Sequence, residues 1–235
     1  MDIKIKFHLV RYILIFLLAF FMINGVVENI IIKTKISNFK SQTTLVDVDV
    51  ENGIKYYCVS RETYESSLKQ IDGKMYIGSK GDILLKQSSP YPEIPVFHQL
   101  MTFFIGGHAA YVIDSKTTVE VNGKDYNNKV SYYSNDWFNL KECVGVRLKN
   151  KEIIDDVTKN IENKIGAKYN YSFVFDNGYY CTDLMSKSVT DVDKYHNIND
   201  TLFTTANDII TSSNTEICYY HYTDSNNIKH VYFIS

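Results

Sequence analysis

Short alternations of apolar and polar residues outnumber helical stripes, and that imbalance decides what this chain can become. Thr44–Val50 alternates Leu and Val with Thr and Asp. His108–Asp114, Thr118–Val121 and Val144–Leu148 read as further strands, and Gly78–Leu85 as a turn feeding a buried one. Glu216–Tyr222 and Ile228–Ile234 flank Asp224–Asn227 as a hairpin. Helical spacing is confined to a few places. Ser60 can cap a helix with Tyr64, Leu68 and Ile71 on one stripe, ended by the Gly73 and Gly78 region. Phe97–Phe104 reads as a short helix. Asn150 caps one carrying Ile153, Ile154, Val157, Ile161 and Ile165, with Gly166 as its stop, and Thr204 or Thr205 caps another through Ile210. Runs of strands and runs of helices imply an α+β architecture rather than a wound parallel sheet. The prolines cluster in Ser88–Pro95, which is a plain connector or a cleft-side loop.

With 235 residues the chain can hold one sizeable core and a short appendage. Basic residues up to Arg11 precede an apolar run, Tyr12–Ile23, in the manner of a secretory signal. No Ala-x-Ala cleavage site follows. The expected division is therefore a signal-anchor or signal segment over 1–28, a polar tether over 29–44 and a folded domain over 45–235. A short N-terminal tail favours an anchored chain with an extracytoplasmic C-terminal domain; the alternative is secretion after cleavage.

Balanced charge, 25 basic against 27 acidic residues, gives no reason to expect nucleic acid as a partner. Cysteines at 58, 143, 181 and 218 include no Cys-x-x-Cys pair, which excludes a zinc ribbon and a thioredoxin-like motif, and no disulfide is expected. Asp47, Asp49 and Glu51 begin like a calcium loop, but Asn52 and Cys58 stand where its glycine and glutamate belong, leaving an exposed strand face. Neither a glycine-rich phosphate loop nor paired metal ligands appear, so no cofactor or metal is expected.

The chemistry concentrates at Gly178–Met185, where two tyrosines run into Cys181 and a helical face begins: Cys181, Leu184, Met185 and Ser188. A thiol in the first turn feels unpaired backbone N–H groups and the positive end of the helix dipole, which favour thiolate and can receive an oxyanion. A buried cysteine packing as a small apolar residue is the alternative. Thiolate catalysis also needs an imidazole and a group to orient it. Among six histidines, His8 lies in the basic N-terminus, His98 reads as surface or packing, His196 lies in a polar loop, and His221 and His230 read as solvent-facing on the last hairpin. His108 starts a strand directly after Gly106-Gly107. Glu120, on the partner strand, can reach its ring across the ladder, or is simply an exposed strand glutamate.

Gly81-Asp82-Ile83, Gly107-His108-Ala109, Glu120, Gly166 with Tyr169-Asn170, and Tyr180-Cys181-Thr182-Asp183-Leu184 follow one another in an order that resembles the YiiX-like hydrolases. These are the circularly permuted branch of the papain-like, NlpC-type cell-wall peptidase superfamily, and the resemblance covers about residues 78–213. It implies a permuted papain-like fold, an antiparallel sheet packed on helices behind an N-terminal hydrophobic helix. It also implies Cys181 as nucleophile, His108 as base and Glu120 as orienter, with Tyr180, Thr182, Asp183 and Gly107 on the substrate and oxyanion side. Thr182 and Asp183 replace the family's serine and glutamate. The implied activity is membrane-anchored cleavage of an amide, in a peptidoglycan peptide or a lipid-linked amide. A lipid-acting thioesterase or acyltransferase on the same fold and a non-catalytic surface binding module are the alternatives.

Overall fold

A computed structural model describes residues 3–88, 95–104, 106–123, 128–171, 178–199 and 203–235, without the side chains of 3–10, 14, 17, 18, 21, 95, 97 and 98. The prolines of 89–94 and the side chain of His98 fall outside the described residues.

Among the described residues, eleven strands and five α-helices follow one another as α1 (Ile3–Gln42), β1 (Thr44–Asp49), β2 (Ile54–Val59), β3 (Leu68–Ile71), β4 (Lys74–Ile77), β5 (Ile83–Lys86), α2 (Pro95–Phe104), β6 (His108–Asp114), β7 (Thr117–Val121), β8 (Val130–Ser134), β9 (Glu142–Leu148), α3 (Ile154–Glu162), α4 (Cys181–Val192), α5 (Ala206–Thr211), β10 (Thr215–Thr223) and β11 (Lys229–Ile234). Nine strands form one sheet in the order β1-β2-β11-β10-β9-β5-β6-β7-β8. It is mixed, not antiparallel throughout as expected, because β11 pairs parallel with β2. The α+β class stands.

Two caps do what their residues imply. Asn150 accepts from the Glu152 N–H ahead of α3, and Thr205 forms a reciprocal capping box with Asp208 at α5. The helix expected after Ser60 is instead the β3–β4 hairpin. Asp72 and Gly73 turn it with positive φ at both positions, 52° and 77°, as a tight two-residue hairpin turn requires.

The polar tether expected over 29–44 is also corrected, since α1 runs unbroken through it to Gln42. Ile32 and Phe39 bury their side chains in the core. Lys35 Nζ donates to the carbonyls of Ile210, Thr211 and Ser212 at 2.9, 3.0 and 2.7 Å, placing a cation on the carbonyl end of α5. Counted over the described residues, no helix is long and apolar enough to cross a membrane.

His221 is not solvent-facing. It is fully buried on β10, its Nε2 bonds to the Leu140 carbonyl at 2.8 Å, and its Nδ1 lies 2.9 Å from the Tyr219 hydroxyl. Burial, aided by the Lys229 charge, depresses its pKa from 6.5 to about 4. The unfolded chain therefore takes up this proton first as pH falls. The stability due to neutral His221 is whole above pH 6.5 and drains away down to about 4, about 3 kcal/mol in all. Denaturant unfolding at pH 7.5 and 4 should show the wild type losing about that much more than His221→Gln; parallel losses would refute the assignment.

Candidate active site

Two glycines bring the His108 and Cys181 segments together. The Gly107 N–H donates to Lys86 O at 2.9 Å, and a Cβ there would stand 2.0 Å from Ser88 O, so only glycine lets β6 start this close to β5. Gly178, with φ +141°, passes Lys168 so closely that a Cβ would lie 2.1 Å from its carbonyl oxygen. That approach lets the Tyr179 N–H donate to Lys168 O and the Asn170 N–H donate to Tyr179 O, both at 3.0 Å. The chain is thereby aimed into α4, which begins at Cys181 and buries Leu184 and Met185.

On the sheet, Tyr111 lies opposite Val119 and Val112 opposite Thr118. His108 therefore shares a face with Thr118 and Glu120. His108 Nε2 is 2.7 Å from Glu120 Oε2. The other carboxylate oxygen accepts from the Thr118 hydroxyl at 2.7 Å and from the Trp137 indole N–H at 2.9 Å. The Trp137 ring also stacks on the imidazole, centroids 5.8 Å apart and planes within 13°. With Nε2 engaged by Glu120, Nδ1 is the nitrogen left for Cys181, to which His108 is hydrogen-bonded. The sulfur further accepts from the backbone N–H groups of Ala109 and Thr182.

The electrostatics follow from these partners. Burial works against the Cys181 thiolate, but the His108 hydrogen bond and charge, with the two amides, outweigh it and hold the thiol below its ordinary value. Burial also opposes the imidazolium, and here Cys181 and Glu120 prevail and hold His108 well above a free histidine. Glu120 is pulled down by His108, Trp137 and Thr118 against its own burial. The arrangement is a Cys–His–Glu relay in which each group favours the charged form of its neighbour. Cys58, Cys143 and Cys218 are also free thiols, and burial pushes all three upward.

A cavity of about 640 Å³ opens onto the relay, its wall including Lys86, Gly107, His108, Trp137, Tyr169 and Cys181. The His108 side chain is 25% exposed there. Five of the residues singled out in the sequence thus meet at this cavity: Gly107, His108, Glu120, Tyr169 and Cys181. The side chains of Tyr180, Thr182 and Asp183 do not line it. The Tyr180 hydroxyl accepts from the Thr204 N–H at 3.0 Å, Thr182 Oγ1 donates to Thr204 O at 2.6 Å, and Asp183 pairs with Lys187 at 3.2 Å. Successive helical positions turn by about 100°, so with Cys181 facing the cavity its neighbours brace α4 from behind. Thr182 reaches the Cys181 sulfur through its backbone N–H. Trp137 was not foreseen: it sits on a single 3₁₀ turn, Trp137–Asn139, without periodicity to mark it, and its being the chain's sole tryptophan is the one signal the sequence carries.

No family model, curated protein or solved structure matches the chain. Among the described residues, no group of three or more His, Cys, Asp or Glu could hold a metal ion.

Proposed function

We propose that this chain is a cysteine hydrolase that cleaves an amide through an acyl-enzyme, on the permuted papain-like fold of the YiiX-like branch. The observation that carries the reading is Cys181 at the first turn of α4, hydrogen-bonded to His108, which Glu120 orients, all at the wall of one cavity. The fold expectation draws support from the packing of α4, which begins at the cysteine, against the strand that begins at the histidine.

The thiolate attacks the scissile carbonyl carbon, and the new oxyanion is received by the backbone N–H groups of the first turn of α4. His108 gives its proton to the leaving amine as the C–N bond breaks. The neutral imidazole then takes a proton from water, which attacks the thioester, and Cys181 departs as thiolate. The substrate class is a peptidoglycan peptide or a lipid-linked amide, met outside the cytoplasm by a domain that the segment 1–28 holds at a membrane. The exposed apolar side chains of α1 favour, as a second reading, a thioesterase or acyltransferase acting on lipid.

The test is mass spectrometry of peptidoglycan fragments and of lipids after exposure to the full chain, with Cys181→Ala beside it. New fragments from the wild type alone identify the substrate class. Identical spectra for both proteins would leave a non-catalytic binding module.

A further inference from the structure

Helix α2 contains no Asp, Glu, Lys or Arg in Pro95–Phe104, yet it is not buried. Val96 is 70% exposed and Leu100, one turn on, 48%. Its far end is pinned against α1. A Cβ on Gly25 would stand 2.6 Å from Phe103 Cε1 and 2.7 Å from Phe104 Cε1, and Asn29 Nδ2 donates to Phe103 O at 2.9 Å. Asn207 Nδ2, on α5, donates to the same carbonyl at 3.1 Å.

The stretch of α1 beside this contact is the apolar one. Between Arg11 and Glu28 no side chain is charged. At 1.5 Å per residue that stretch measures about 24 Å, short of the roughly 30 Å of a bilayer's hydrocarbon layer, so it can enter the layer without crossing it. Tyr12, Ile13, Ile15, Phe16, Phe20 and Ile23 are exposed along it. At about 100° per residue they spread over roughly half the helix circumference, a band wider than the narrow seam by which two helices pair. Lipid fits such a band better than a second copy of the chain. Gly25 lies near the C-terminal end of the band, so α2 meets α1 where the apolar stretch gives way to polar helix. Three residues separate Phe104 from His108, four steps along the chain and a reach of at most about 14 Å.

We propose that α2 is a second lipid contact, lying in the headgroup layer of the bilayer that takes up the apolar stretch of α1. It thereby holds the mouth of the Cys181 cavity at the membrane surface, where acyl donors are lipid-borne. This rests on the membrane-anchored hydrolase reading and narrows its substrate class.

The experiment places the full chain in phosphatidylethanolamine–phosphatidylglycerol vesicles containing lipids brominated near the headgroup. The emission added by Leu100→Trp, over that of Trp137, should be quenched at least twofold, as should that added by Phe16→Trp with deeply brominated lipid. Quenching at Phe16→Trp but not at Leu100→Trp would overturn the role of α2 while leaving α1 as anchor. Quenching at neither position would remove the membrane from the account altogether. The double variant Val96→Asp/Leu100→Asp should hydrolyse a long-chain p-nitrophenyl ester carried in the vesicles about tenfold more slowly, with p-nitrophenyl acetate unaffected; equal loss on both esters counts against the proposal. Alkylation of Cys181 in the same samples reports separately on whether the hydrolase reading holds.

Discussion

Replacing His108 by Ala should empty Cys181 of most of its thiolate at pH 6 and lower turnover by about 10³-fold or more, since attack and leaving-group protonation both depend on that ring. An ordinary cysteine, with a pKa near 8.5, is well under ~1% thiolate at pH 6. In the wild type the imidazolium, itself raised by Cys181 and Glu120, keeps the sulfur charged. The signs on the two sides of the pH range are opposite. On acidification the pair persists until pH drops below the lowered value of Cys181; on alkalinisation it persists until His108 loses a proton at its raised value. The wild type should therefore show thiolate absorbance near 240 nm across the neutral range, and the variant a single rise in the ordinary thiol range. Iodoacetamide should label Cys181 at pH 6 ahead of Cys58, Cys143 and Cys218, all of which burial has pushed upward. Labelling of the variant falls less than its thiolate does, because a more basic thiolate is intrinsically more nucleophilic. Equal absorbance of wild type and His108→Ala at pH 6 would dismantle the relay.

The second large effect lies away from the cavity. Asp82 is fully buried and Arg147 is 5% exposed. They form a bidentate pair, Nε to Oδ1 at 2.6 Å and Nη2 to Oδ2 at 2.8 Å, which fastens the start of β5 to β9. The Ser79 N–H adds a third bond to the carboxylate at 2.8 Å, and Arg147 Nη1 reaches the Glu65 carbonyl at 3.2 Å. Asp82→Ala strands a guanidinium in the interior and should cost about 3–5 kcal/mol, a large part of a typical domain's stability. Asp82→Leu combined with Arg147→Met removes both charges and should recover most of that loss. Denaturant midpoints decide it: a single-variant loss below about 1 kcal/mol, or a double variant no better than the single, would rule out the pair as a clasp. Asp82 belongs to the Gly81-Asp82-Ile83 motif. Its place in the fold is structural, since it does not line the Cys181 cavity.

Local signals were legible where local physics decides the outcome. Asn150, Thr205 and the N-terminal placement of Cys181 follow from capping and helical spacing alone. His108 and Glu120 follow from two strands joined by a short turn, which leaves little freedom of register. Non-local packing was not legible. The stripe Tyr64, Leu68, Ile71 imitates a helix, and the decisive counter-signal was Asp72-Gly73, a hairpin dipeptide. In α1, Ile32, Ile36 and Phe39 keep helical spacing, yet the Lys, Asn, Ser and Thr around them masked it. His221 misled because β10 is buried along most of its length, so alternation could not assign it to solvent. The Tyr180, Thr182 and Asp183 side chains were expected at the cavity from their closeness to Cys181 in sequence, whereas a helix turns neighbours apart.

The parallel pairing of β11 with β2 has a consequence for how the molecule is made. Within the sheet, β11 is the slat between β2 and β10, and it is the last of the described strands to be synthesised. Until it emerges from the ribosome, the β1–β2 hairpin and the remaining strands cannot be joined, and each offers an open edge to strangers. Assembly of this sheet therefore waits on β11, and losing as little as Lys229–Ile234 would divide it into two unjoined pieces.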